Sequence, residues 1–353
     1  MSGAKAKGKT MLIRAKAPLR LGLAGGGTDI ASYYNRYGGY VLNATVDMYA
    51  YCTIEPTDTG MVEFVAADLN KKEEYASGEK LPVPSTLPLH AGIYNHIVAN
   101  FYHKPLSLKM TTYSDAPPGS GLGSSSTMVV AIIKAYEEWL NLPLGEYDIA
   151  ALACKIERED IGLAGGKQDQ YAATFGGFNF MEFHENDKVI VNPLRLKRWI
   201  RNELEASLVL YYTGVSRESA NIINEQIQHT QKGDSKNIEN MHRLKEQAIL
   251  MKESLLKGDF RGFSDCLLHG WQAKKNAATS ISNSFLDELY QYTIDNGAES
   301  AKISGAGGGG FMMIYCNPCR RIALINALKE RQGMVLTPSF TETGTQAWTI
   351  YNN

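Results

Sequence analysis

The stretch PPGSGLGSSSTMVVAI, residues 117–132, limits the fold of this chain more than any other. Pro117 and Pro118 stiffen its entry. Gly119, Gly121 and Gly123 then permit a tight turn whose backbone can approach another group with no Cβ in the way. From Ser124 onward, Met128, Val129, Ile132, Ile133, Tyr136 and Leu140 recur at the spacing of a buried helical face. A glycine turn opening onto a helix N-terminus offers unpaired N–H groups and the positive end of the helix dipole, a seat for phosphate. Taken alone, the stretch could equally be a loop with a serine N-cap.

The bulk sequence narrows the class. With 353 residues and 44% apolar content the chain can bury a large core, and a division into two domains, 11–200 and 201–353, is expected. Lys plus Arg minus Asp plus Glu is 36 − 37 = −1, which argues against broad nucleic-acid or anionic-membrane binding. No apolar run approaches a membrane span and no signal-peptide pattern opens the chain. Five cysteines, an odd number, suggest reduced thiols in a cytoplasm. Cys316 and Cys319 match C-x-x-C, but no second ligand pair supplies a zinc site, so they read as a strand end and a Pro-assisted helix start. The opening MSGAKAKGKT is basic and polar and is expected to be disordered.

Strands are predicted over 11–23, 40–55, 106–113, 176–183 and 208–212, and helices over 88–102, 124–141 and 145–160. Beyond residue 200 long helices are predicted over 216–232, 235–257, 259–276 and 283–296, with strand and helix alternating again from Ala301. This segregation points to α+β rather than a doubly wound parallel sheet.

Three further clusters carry chemistry. SGAGGGG, 304–310, contains G-x-G-x-x-G as Gly305, Gly307 and Gly310, yet the strand-like FMMIY follows where a dinucleotide site needs a helix. No G-x-x-x-x-G-K-[ST] occurs, which excludes a P-loop. APLRLGLAGGGTD, 17–29, could be only a strand-to-helix turn with an Asp cap. Finally, Glu157 and Asp169 are twelve residues apart, on either side of a glycine turn, and could converge on one site.

In kind, order and separation these clusters resemble the GHMP kinase superfamily over about residues 12–316. PPGSGLGSSS resembles its phosphate-binding motif, APLRLGLAGGGTD its first motif and KISGAGGGGF its third. The resemblance implies an α+β, two-domain fold: an N-terminal domain of the ribosomal-protein-S5-like type and a ferredoxin-like C-terminal domain with added helices. ATP would lie in the cleft between them, at Pro118, Gly119, Ser120, Gly121, Leu122, Gly123, Ser124, Ser125 and Ser126. Ser125 and Glu157 would hold Mg2+, in keeping with an ion that takes few protein oxygens and keeps its water. Asp169 would face the acceptor hydroxyl, with Arg20 holding it ionised. Asp29, Gly26, Gly27, Thr28, Gly305, Gly307 and Gly308 would line the acceptor.

Where galactokinases carry Gly-Glu-His-Thr-Asp, this chain has Gly25-Gly26-Gly27-Thr28-Asp29, which leaves room for a longer sugar. AGGGTD, GGKQDQYAATFGG and TGVSRESA are most similar to members that phosphorylate the anomeric hydroxyl of D-glycero-D-manno-heptose 7-phosphate. Another sugar such as fucose, or a catalytically silent sensor, are the alternatives. Partners would be ATP and a sugar phosphate, with neither nucleic acid nor membrane, and with a homodimer possible. A 7-phosphate would need Arg or Lys. Lys167 and Arg217 are the candidates, whereas Lys274 and Lys275 are explained by a helix end, where cations complement the dipole.

Overall fold

The computed structural model describes residues 10–82, 84–215 and 219–352. The opening nine residues and Arg217, for which expectations were stated, lie outside the described residues. One sheet is built from β1 (Thr10–Ala24), β2 (Gly39–Pro56), β3 (Met61–Ala66), β4 (Lys71–Ala76), β5 (Leu108–Ser114), β6 (Phe178–Phe183) and β7 (Val189–Pro193). A second holds β8 (Leu208–Tyr212), β9 (Ala298–Ile303), β10 (Phe311–Cys316) and β11 (Met334–Leu336), in the order β11-β8-β10-β9. The last strand, β12 (Gln346–Asn352), returns to the first sheet and pairs with β1, Met11 opposite Tyr351. A cut at residue 200 into two consecutive units therefore does not describe the chain's end.

The 18-residue β2 spans about 60 Å when extended, long enough to serve two partners in succession. Its first part, Gly39 to Ala44, pairs with β6, and its last, Ala50 to Pro56, pairs with β5. Among the described residues only the pairing of β3 with β5 is parallel.

Helices α1 (Ala31–Tyr37), α2 (Pro88–Ile97), α3 (Ser124–Leu140), α4 (Glu146–Lys155) and α5 (Gln168–Phe175) are followed by α6 (Arg198–Ser207) and α7 (Ser219–Gln231). The chain continues through α8 (Ser235–Lys257), α9 (Phe260–Lys275), α10 (Ser284–Asp295) and α11 (Arg321–Lys329). The apolar periodicity of α3 suggests one buried face, but every residue from Ser126 to Ile133 is buried. The helix lies between the first sheet and the neighbouring α2, α4 and α5, so beyond Ser125, which is exposed, no side of its first two turns meets solvent. The helices predicted over 88–102 and 145–160 both end in π-helical turns, Val98–Tyr102 and Ile156–Asp160. The second carries Glu157, and π turns frequently mark functional positions.

The two sheets are joined at their cores and by polar ties. Leu208, Leu210, Phe311 and Met313 of the second sheet share a buried cluster with Leu19, Leu21 and Ala44 of the first. The buried ammonium of Lys302, on β9, donates to the carbonyls of Gly22 and Leu23 at 2.8 and 3.1 Å. Cys316 closes β10, and Pro318 opens a short 3-10 turn into α11. All five cysteines are free thiols. Among the described residues no helix is long and apolar enough to cross a membrane.

Candidate active site

A cavity of about 250 Å3 opens between the two sheets, at the N-terminus of α3. Gly123, the N-cap, has a φ of 78° and supplies no side chain, so the first N–H groups of α3 are left without a cap. The preceding turn alternates. Gly119, Gly121 and Gly123 line the cavity, whereas Ser120 and Leu122 are fully buried on the other side. Ser120 donates its N–H to the Pro117 carbonyl and accepts from the Phe311 N–H at 2.8 Å. The expected phosphate contacts therefore contract. Gly119, Gly121, Gly123, Ser124, Ser125 and Ser126 face the cavity, while Pro118, Ser120 and Leu122 do not line it. A Cβ on Gly121 would lie 2.5 Å from the Ser304 carbonyl oxygen, and its φ of 79° is in the left-handed region, so only glycine fits.

Glu157 lies 1 % exposed at the cavity wall. Its Oε1 accepts from Ser126 Oγ at 3.0 Å, and Oε2 accepts from Gln170 Nε2. Burial pushes its carboxyl above the ordinary range, which the Arg158 charge and then these two donors only partly offset. The hydroxyl bonded to Glu157 is thus that of Ser126, whereas Ser125 is exposed and faces the cavity.

Asp169 stands across from these groups, in the first turn of α5. Arg20 Nε and Nη2 both reach its Oδ1 at 2.6 Å, and Arg20 Nη1 donates to the Gly121 carbonyl, also at 2.6 Å. Oδ2 has no hydrogen-bond partner among the described residues, and a Cβ on Gly123 would lie 3.1 Å from it. One guanidinium from β1 thereby fixes both the carboxylate and the glycine turn.

Asp29 lines the cavity and also serves backbone donors. Its Oδ1 accepts from Gly27 N at 2.9 Å, and its Oδ2 from the backbone N–H groups of Lys167 and Gln168 at 2.9 and 3.0 Å. It caps α5 from a distant part of the chain, and so steadies Asp169. A Cβ on Gly166 would lie 1.9 Å from Asp29 Oδ2, which makes glycine obligatory there. Thr28 is fully buried and bonds the carbonyls of Gly25 and Tyr40 at 2.8 and 2.9 Å; it holds the turn and does not line the cavity. Gly26, Gly27 and Gly305 do line it. Gly307 and Gly308 instead pack on the short turn Thr279–Ile281, Gly308 N donating to the Ile281 carbonyl at 2.8 Å.

The family scan matches a model of the GHMP kinases N terminal domain to residues 89–177 and one of the GHMP kinases C terminal to residues 251–332. The chain is 53% identical over 338 residues, 96% of its length and 99% of the relative's, to a D-glycero-alpha-D-manno-heptose 7-phosphate kinase of Campylobacter jejuni. The chain belongs to the GHMP kinases. It is a phosphotransferase, and its similarity to the Campylobacter enzyme sets it among the sugar kinases of the family. The crystal structure of a D-glycero-D-manno-heptose 1-phosphate kinase from Bacteroides thetaiotaomicron superposes with a TM-score of 0.83 at 46% identity, covering 96% of this chain and all of that one. A Lactococcus lactis galactokinase shares the fold at 18% identity, with a TM-score of 0.77 over 95% of each chain. The two-domain α+β fold is that of GHMP kinases.

Lys167 lines a neighbouring cavity of about 610 Å3, which shares Asp29, Arg158 and the 163–165 turn with the first. Its ammonium reaches Asp187 Oδ1 at 2.5 Å, and the Tyr34 hydroxyl donates to the same oxygen at 2.7 Å. Lys275 pairs with Asp287 at 3.2 Å on the surface.

Sequence reasoning passed over Lys274. The helix end explains a cation there, but this one is 5 % exposed, lines the cavity and donates to the Gly305 carbonyl. Burial, and then the neighbouring Arg20, pushes its ammonium down to about 8. Gln168, Gln226 and Arg158, also in the cavity wall, carried no recognisable signal, because polar helix residues usually face solvent.

Proposed function

We propose that the protein transfers the γ-phosphoryl group of ATP to the anomeric hydroxyl of D-glycero-D-manno-heptose 7-phosphate, giving the 1,7-bisphosphate and ADP. One observation carries this reading. A carboxylate fixed by an arginine, with one oxygen free, abuts the uncapped, glycine-rich N-terminus of a buried helix. Base and phosphate seat therefore share one small cavity. The Campylobacter relative's name supports the acceptor, a heptose that carries phosphate at C7 and leaves the anomeric hydroxyl free.

In this reading the backbone N–H groups of Gly121, Gly123, Ser124, Ser125 and Ser126 hold the phosphates of ATP. Arg20 fixes the Asp169 carboxylate by its ion pair, and Asp169 Oδ2 takes the proton of the anomeric hydroxyl as its oxygen bonds to the γ-phosphorus. The bond to the β–γ bridging oxygen breaks, and its electron pair leaves with ADP. Lys274 and Arg20 offset charge gathering on the transferred group, the main demand in phosphoryl transfer.

Among the described residues no group of three His, Cys, Asp or Glu could hold a metal, but magnesium asks for fewer protein oxygens than that. Glu157, buried without an ion pair and facing the cavity beside Ser125, fits such an ion. Bound by these two, magnesium would neutralise phosphate charge. Lys167, whose counter-ion Asp187 is largely exposed and displaceable, would meet the 7-phosphate.

A coupled ADP-release assay over free and phosphorylated sugars tests the reading. Heptose 7-phosphate is expected to exceed free heptose, galactose and fucose in kcat/KM. Equal use of an unphosphorylated sugar would replace it with an anomeric kinase of another acceptor, and no turnover with any sugar would favour a sensor.

A further inference from the structure

Gly26 and Gly27 leave a patch of cavity wall without side chains, and two carboxamides converge on it. A Cβ on Gly26 would lie 3.3 Å from Gln168 Nε2, and one on Gly27 would lie 3.8 Å from Gln226 Oε1. Gln226 comes from α7, beyond the first sheet, and is 4 % exposed. Its backbone carbonyl accepts from Thr230, but its carboxamide has no partner among the described residues. Gln226 lines the cavity, so a ligand can meet that carboxamide. Gln168, one residue before Asp169, has the same character. Its Nε2 makes only a long contact of 3.4 Å with Asp29, and its Oε1 is enclosed and unpartnered.

We propose that Gln168 and Gln226 form a neutral clamp that reads hydroxyl groups on the acceptor's carbon chain. The proposal rests on the reading that the acceptor lies between Asp169 and the glycine patch. A carboxamide is both donor and acceptor, and so is a sugar hydroxyl, so two carboxamides lining one cavity suit a polyol in either bonding order. They do not suit a phosphate, which calls for Arg or Lys. The clamp therefore assigns this patch to the uncharged part of the chain and leaves any distal phosphate to cations elsewhere. It also makes acceptor recognition depend on both halves of the fold, since α5 packs on the first sheet and α7 follows the second sheet's β8.

The test compares wild type, Gln226→Ala and Gln168→Ala on D-glycero-D-manno-heptose 7-phosphate and on its 6-deoxy and 4-deoxy analogues. The Ala variants are expected to raise acceptor KM about tenfold, the weight of one neutral hydrogen bond, with ATP KM moving less than twofold. Wild type should prefer the parent over at least one deoxy analogue, and that preference should vanish in the variant whose glutamine reads the missing hydroxyl. Should an Ala variant unfold, Gln226→Glu and Gln168→Glu keep the shape, remove the amide donor and carry the same comparison. Unchanged acceptor KM in folded variants overturns the clamp, as does equal use of parent and both deoxy sugars by wild type. If wild type ignores the heptose and phosphorylates another sugar, the substrate reading fails. The clamp is then judged on that sugar and its deoxy forms by the same criteria.

Discussion

Glu157 and Asp169 face one cavity, yet their surroundings differ in kind. Asp169, 24 % exposed at its side chain, has a guanidinium on one oxygen and leaves the other free. Glu157 is buried, meets only a hydroxyl and a carboxamide, and its carboxyl is raised by desolvation. A carboxylate held by an ion pair with one oxygen free is placed to receive a proton. One buried in the cavity wall with only neutral hydrogen-bond partners suits a cation from outside. In the proposed mechanism the same side-chain chemistry therefore serves as base where an arginine bonds the carboxylate directly and as metal seat where none does.

Breaking the base end should cost most. Asp169→Asn keeps the shape and removes the proton acceptor, so kcat is expected to fall about 10³-fold, the middle of the range for general-base loss, with ATP KM little changed. Steady-state kinetics check this, and near-normal kcat would reduce Asp169 to an orienting group.

At the other end, Glu157→Gln should lower kcat roughly 10²-fold, less than loss of the base because other oxygens still reach a bound ion. It also has a readout in stability. A carboxyl raised on folding weakens the native state at any pH above its unfolded value, about 4.3, and that penalty disappears as pH falls below it. Gln removes the penalty, so at pH 7 the unliganded variant should melt no lower than wild type. Magnesium with an ATP analogue should raise Tm more in wild type than in the variant. Equal shifts in thermal scans would move the ion away from Glu157.

Lys274 sharpens the comparison, since it is a cation of the same cavity with no carboxylate partner. Its ammonium is held at about 8, so the charged form is present below that pH and lost above it. The kcat/KM profile should fall as pH rises through about 8, and Lys274→Met should flatten that limb with about a tenfold loss at pH 7, the scale of a few charge-assisted contacts. The smallest effect belongs to Lys167→Met, a partly exposed pair with Asp187. A rise of roughly threefold to tenfold in KM for the phosphorylated sugar is expected, with KM for ATP unmoved.

Much of the site was legible because its parts are local. Glycine at 119, 121 and 123, serine after them and an apolar helix beyond make a phosphate seat from adjacent residues, and the alternating β-branched run 40–55 makes a strand wherever it lies. The short elements β3, β4, β7, α1 and α5 gave no such pattern: β4, α1 and α5 are rich in polar residues, and β3 and β7 are brief apolar runs that periodicity cannot assign to strand or helix. The roles of Asp29 and Thr28 were also beyond local reading, because each spends its oxygens on backbone groups brought near by the fold.

By itself, then, the sequence determined the glycine turn before α3, the two carboxylates and the α+β class, all of which follow from residue type, spacing and backbone freedom. Tertiary structure alone decided which carboxylate meets an arginine, since Arg20 and Asp169 are 149 residues apart. It also turned Lys274 from a helix-end cation into a buried one, and set Gln168 and Gln226 across a glycine patch. Such pairings depend on distances between elements far apart along the chain. Burial then gives a charge or an amide a significance that its place in the sequence does not carry.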